Sequence, residues 1–144
     1  MLPEIAPPNF NRIPDGTTER ITVTDGEPTR IVQLRHPTQC ILWQHPERVA
    51  GKFAGFLEEV EAYEDTSHLT RSLYKCLECG QLYFHEWYEW VDWKDGNDKQ
   101  YSTLVPVQTP EEIAALKQAT TFTLMRYYPR LQLDKGNPVW IGKD

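Results

Sequence analysis

Cys76 and Cys79, two residues apart and followed at once by Gly80, are the side chains of this sequence best spaced to do chemistry. Thiolates at that spacing can face one metal ion while the backbone turns beneath them. A glycine immediately after them permits the conformation that lets amides face the sulfurs. With strands expected on both sides, the pair looks like one half of a zinc ribbon. A closed tetrahedral site needs two more donors, and the sequence holds no second Cys-x-x-Cys. The remaining ligands must come from Cys40, His45, His68, His85 or His36. Cys40 and His45, spaced Cys-x4-His, are the best placed. The expectation is therefore one structural zinc held by Cys76, Cys79, Cys40 and His45. The bland alternatives are a knuckle that has lost its metal, or two thiols in an ordinary turn. A redox dithiol fits less well, because that motif opens a helix whose N-terminus lowers the thiol pKa, and here a strand-like run follows.

A second chemistry-bearing stretch is Tyr83-Phe-His-Glu-Trp-Tyr-Glu-Trp-Val-Asp-Trp93. On a strand, alternate residues share a face. Leu82, Phe84, Glu86, Tyr88, Trp90 and Asp92 lie on one side, and Tyr83, His85, Trp87, Glu89, Val91 and Trp93 on the other. Neither side is purely apolar. Aromatics interleaved with acids suit protein recognition, since Trp and Tyr supply much hot-spot energy and carboxylates select a basic partner. Glu86, Trp87, Glu89, Trp90 and Trp93 are the candidate partner-binding residues. The competing reading is a strand packed on both faces with polar tips. Hydrolysis by clustered carboxylates (Glu86, Glu89, Asp92, Asp95, Asp98) is a third possibility. However, Glu86 and Glu89 fall on opposite faces, and Asp95 and Asp98 are ordinary turn residues. No nucleophile elbow, phosphate-binding glycine loop or His-Glu-x-x-His is present, so no catalytic residue is assigned.

The elements that must position these residues read as α+β: an antiparallel sheet with two main helices packed against it. At 144 residues, with 40% apolar and 25% charged, the chain has the size and composition of one globular domain. Residues 1–20, with four prolines, read as an extended arm, and residues 21–144 as the single domain. Residues 21–24 and 30–34 flank Asp25-Gly26 as a hairpin, and residues 40–43 suggest a short strand. Val49, Phe53, Phe56, Leu57 and Val60 follow a helical stripe, predicting a first helix over 46–64. Residues 73–76, 81–93 and 101–107 read as strands, with Pro106 marking an edge or an end. Thr109-Pro110-Glu111-Glu112 opens a second helix over 110–118, and the segment around Trp140 leaves room for a last strand. The expected core also includes Leu73, Leu82, Phe84, Leu104, Ile113 and Leu116.

Charge and hydropathy narrow the function classes. Fifteen basic against twenty-one acidic residues give a net charge of −6. That argues against nucleic acid as the main partner, because phosphate binding rewards positive surface. It favours one basic protein partner instead. No apolar run approaches the ~20 residues of a membrane span, and the N-terminus has neither the basic start nor the apolar centre of a secretory signal. The expectation is a cytoplasmic protein with no membrane contact.

The stretch Cys76-Leu-Glu-Cys79-Gly80-Gln81-Leu82-Tyr83-Phe84, followed by Glu86-Trp87-Tyr88-Glu89 and Gly96-Asn97-Asp98, resembles small uncharacterised bacterial proteins with a Cys-x-x-Cys-Gly knuckle. More loosely, in size and charge only, the chain is similar to immunity proteins of bacterial toxin systems. That resemblance implies a protein-binding inhibitor capping a toxin through an acidic, aromatic surface. It transfers no residue roles. The alternative is a small zinc-knuckle structural or interaction module.

Overall fold

The computed structural model describes residues 31–49, 53–133 and 137–143. The arm at 1–20 and the first half of the 21–34 hairpin lie outside the described residues. The second half supplies β1 (Val32–Gln33), which pairs in parallel with β6 (Tyr127–Tyr128). The central feature is a six-stranded sheet. Its order is β2 (Leu57–Asp65), β3 (Leu69–Cys76), β4 (Leu82–Trp90), β5 (Lys99–Val107), β7 (Arg130–Gln132) and β8 (Val139–Ile141). All five of its pairings are antiparallel. The mixed α+β character is as expected.

The expected helix over 46–64 does not form. Pro46–Val49 is a single 3-10 turn, Gly55 takes φ +92°, and Leu57–Asp65 is the edge strand β2. A left-handed residue in mid-stripe stops a right-handed helix. The misleading periodicity has a second cause. The register of β2 against β3 slips between Glu59 and Glu61 and again between Ala62 and Glu64. Such bulges erase the alternation that marks a strand. Among the described residues only β3 flanks β2, and its glutamates face water, a common protection for an open edge. Val60, expected in the core, is 51% exposed. The expected strand at 40–43 is likewise replaced by a one-turn helix, α1 (Ile41–Gln44), with Cys40 as its extended N-cap.

Other expectations hold. α2 (Pro110–Gln118) begins with a full capping box, Thr109 accepting from the Glu112 amide while the Glu112 carboxylate accepts from the Thr109 amide. A one-turn helix α3 (Thr121–Leu124), capped by Thr120, follows. β5 is an interior strand rather than an edge. β7 reaches only Thr103 and Leu104, so Pro106 lies beyond that ladder, where its missing donor costs nothing.

The sheet is covered on both faces, which is why β4 shows no polar side. One face packs Leu73, Phe84 and Val105 against Leu116 and Ala119 of the α2 region, Leu124 of α3, and Val32 and Tyr127 of the small parallel pair. The other packs Tyr83, Leu104 and Leu131 against Cys40, Leu42 and Val49. Phe53, Phe56, Leu82 and Ile113 are partly buried around these clusters. No described helix is long and apolar enough to cross a membrane.

Candidate metal centre

Cys76 ends β3 and Cys79 lies in the turn into β4. The turn is closed by Gly80 N–H donating to the Cys76 carbonyl at 2.9 Å and Cys76 N–H donating to the Gln81 carbonyl at 2.8 Å. Gly80 takes φ +82°, the left-handed conformation its position in the motif predicts. Cys40 is brought in by a separate segment, as the N-cap of α1. Its helical turn is anchored by Trp43 N–H donating to the Cys40 carbonyl at 3.0 Å. The sulfurs of Cys40, Cys76 and Cys79 all lie within 4.8 Å of one another. Thiolates about 2.3 Å from a tetrahedral zinc sit about 3.8 Å apart, so small side-chain rotations suffice to close on an ion. Cys40 and Cys76 are buried, Cys79 is exposed, and none is in a disulfide.

The electrostatics separate the three thiols. Burial pushes the Cys76 thiol up, but the amides of Cys79 and Glu78 and the neighbouring thiols more than offset this, and its pKa is lowered. Amides aimed at a sulfur are what a metal knuckle provides for a thiolate. Cys40 is pushed up to about 12, chiefly by burial and further by the nearby Cys76, despite the Tyr83 hydroxyl that donates to its sulfur at 3.0 Å. Without a cation, a second thiolate here is costly. A divalent ion reverses that, since metal binding deprotonates its thiol ligands.

His45 does not join the cluster. Cys40 caps the N-terminal end of α1 and His45 its C-terminal end, so the one-turn helix holds them apart, and His45 Nδ1 lies 3.3 Å from Glu47 Oε2. His68 pairs with Glu89 at 2.9 Å. His85 sits edge-on to Phe53 and Tyr74 with Nε2 2.9 Å from Ser102 Oγ, and burial lowers its pKa to about 4. An open cleft of about 360 Å³ is bordered by Cys40 and Cys79 together with Arg35, His36, Gln81 and Gln108 among others.

The aromatic and acidic run is dispersed. Glu86, expected at a partner surface, is 1% exposed and belongs to the interior. Its Oε2 accepts from Arg71 Nε at 2.9 Å, Arg71 Nη2 at 2.7 Å and the Thr121 hydroxyl at 3.3 Å. Arg71, Glu86, Thr103 and Gln132 are register partners across four strands, forming a buried polar row beneath α2 and α3. Trp87, Glu89 and Trp90 are half-buried, and Trp93 is 76% exposed. The carboxylates considered for hydrolysis do not converge. Glu86 holds Arg71, Glu89 holds His68, Asp92 Oδ1 accepts from the amides of Lys94 and Asp95, and Asp98 accepts from the Asp92 amide.

Two contacts had no signal in the sequence. Nothing in the spacing places Tyr83 on Cys40, 43 residues away, or Arg71 on Glu86. The second depends on the register of β3 against β4, and the first on how α1 packs over the sheet. Comparison with protein-family models, with curated proteins and with solved structures finds no match to the chain.

Proposed function

We propose that this chain is a small zinc-knuckle module, in which Cys40, Cys76 and Cys79 hold one ion that staples the segment before α1 to the β3–β4 turn. One observation carries the reading: three sulfurs from two segments far apart in sequence gather within 4.8 Å, with backbone amides aimed at Cys76. Thiolate-rich tetrahedral sites select zinc among the common divalent ions. Elemental analysis of protein purified without added metal is the test. One zinc per chain, lost in Cys76→Ser and in Cys79→Ser, is expected; folded protein with only trace metal would retire the reading.

A second reading draws on the 76% exposure of Trp93 beside half-buried Trp87, Glu89 and Trp90, with the net charge of −6. On this reading the chain is an inhibitor of immunity type that meets a basic protein through this corner. Long-range attraction would speed encounter and the tryptophans would slow release. Capture of a toxin-like protein from the native host, abolished by Trp93→Ala, is its test. Capture unaffected by that change would remove the surface from consideration.

A further inference from the structure

Tyr83 lies on β4, inside the six-stranded sheet, with Tyr74 of β3 and Pro106 of β5 as its register partners. Its side chain is fully buried and packs in the same cluster as Cys40 and Cys76. We propose that Tyr83 is the positioning residue of the metal centre: its hydroxyl holds the Cys40 sulfur in place beside the other two and stabilises the thiolate that the ion requires. The assignment rests on the zinc-knuckle reading and deepens it, naming what orients one ligand and tunes its charge.

Three observations converge on this residue. First, the Tyr83 hydroxyl donates to Cys40 Sγ at 3.0 Å, its hydrogen-bond partner among the described residues. A neutral thiol is a weak acceptor, so a buried phenol that donates to one recovers little of its desolvation cost. A thiolate turns the same contact into a charge-assisted bond, roughly twice as strong. The contact therefore suits the metal-bound form of Cys40. Second, the Cys40 side chain makes no capping bond to α1, although Cys40 is the N-cap of that helix. Tyr83, and not the helix end, sets the direction of the sulfur. Third, the three sulfurs draw on different supports. Cys76 takes the amides of Cys79 and Glu78, and Cys79 is exposed to water. Cys40 is buried and has the Leu42 amide and the Tyr83 hydroxyl, of which the hydroxyl acts more strongly.

Three thiolates on a divalent ion leave one negative charge in excess, and burying that excess is costly unless it is hydrogen-bonded. The hydroxyl answers this need from a strand flanked on both sides, a firmer support than a loop offers. Tyr74 is its natural control. It lies opposite Tyr83 in the register, and its ring packs on those of Phe53 and His85.

The test titrates the full chain with zinc against a chromophoric chelator and loads it with Co2+ as a spectroscopic probe. Tyr83→Phe keeps the ring and removes only the donor. It should weaken zinc binding about 10–100-fold, the effect of losing an outer-sphere partner. It should also move the thiolate-to-cobalt charge-transfer bands to lower energy, because a sulfur deprived of its donor is richer in electrons. Tyr74→Phe should do neither. If wild type binds zinc and Tyr83→Phe matches it in affinity and band energies, the assignment is wrong while the knuckle stands. Weaker binding with unmoved bands makes Tyr83 a packing residue and overturns the assignment too. If wild type takes up no zinc, the knuckle reading itself falls. Should Tyr83→Phe fail to fold, wild type carrying 13C at tyrosine Cζ decides. Zinc must move the Tyr83 Cζ signal, since its hydroxyl then donates to a stronger acceptor; an unmoved signal overturns the proposal.

Discussion

Replacing Glu86 separates two accounts of a buried ion pair. The carboxylate is 1% exposed, Oε2 takes two hydrogen bonds from Arg71 and one from Thr121, and Oε1 accepts none among the described residues. Burial raises its pKa, and the attraction and hydrogen bonds of Arg71 only partly oppose this. The charge itself therefore does little for stability; the filled volume and the satisfied guanidinium matter more. Glu86→Ala removes both. Two Arg71 donors left unpaired cost about 1–3 kcal/mol each, and with the lost volume the total should reach about 3–5 kcal/mol. Glu86→Gln keeps an acceptor in place but leaves the buried Arg71 guanidinium without its counter-charge, and should cost less than Ala, about 1–3 kcal/mol. Urea denaturation at neutral pH measures both, the Ala midpoint falling by about 1.5–3.3 M for a slope near 1.5–2 kcal/mol per M. The sign with pH follows. A carboxylate whose folded pKa is raised contributes stability at acidic pH that is lost as pH rises through that pKa. Wild type should therefore gain on Glu86→Gln as the solution is acidified. If Gln costs as much as Ala, the charge carries the pair and the reasoning fails. If Ala costs under about 1 kcal/mol, Glu86 behaves as an exposed residue and its interior placement is wrong.

Three further outcomes can be checked on purified protein. His85 is held at about 4 by burial, so the stability it contributes as a neutral ring is complete above its unfolded value near 6.5 and is lost as pH falls toward 4. The loss should approach roughly 3 kcal/mol in denaturation curves across that window, and His85→Gln should flatten it; an unchanged slope would refute the burial. Gly142→Ala places a Cβ 2.8 Å from Tyr128 Cδ1 at a residue with φ +81°, and should cost about 1–3 kcal/mol in the same assay. A neutral result would mean that the last strand does not pack on Tyr128. Trp93→Ala, at a 76% exposed position, should change stability by less than about 0.5 kcal/mol. A larger loss would place that ring in the core.

What the sequence made legible was local, and what it hid depended on register. Thr109-Pro110 with Glu112 announces α2 because every atom of the capping box lies within four residues. The Cys76-Gly80 turn is legible for the same reason. The stretch from Val49 to Val60 misled because Gly55 and the bulge between Glu59 and Glu61 leave a spacing that imitates a helix, while the feature identifying an edge strand, a partner on one side among the described residues, shows only in the pairing. Glu86 misled in the opposite sense. An acid amid aromatics reads as surface until register sets Arg71 opposite it. Cys40 was identified as a ligand for its residue type, and His45 was paired with it by spacing alone, which does not show that α1 sets the two at its opposite ends.

Whether three clustered thiols are a metal site or merely small apolar side chains in a core turns on differences among them. Buried cysteine behaves as a hydrophobe, and Cys40 and Cys76 both belong to the cluster with Leu42, Leu57 and Leu104. Packing alone explains those two. It does not explain Cys79, which is exposed and gains nothing from burial, yet is held with its sulfur beside them. Nor does it explain backbone amides aimed at Cys76, which lower its pKa inside an apolar surround that would otherwise raise it. An apolar core would not direct hydrogen-bond donors to a sulfur, whereas a cation site requires thiolates and stabilises them in this way. Substitution exploits the difference. Cys79→Ser should leave metal-free stability within about 0.5 kcal/mol, because the side chain is exposed. It should also abolish the stabilisation that added zinc gives wild type, seen as loss of the zinc-dependent rise in melting temperature. If Cys79→Ser and wild type melt alike with and without zinc, the cluster is packing and no more.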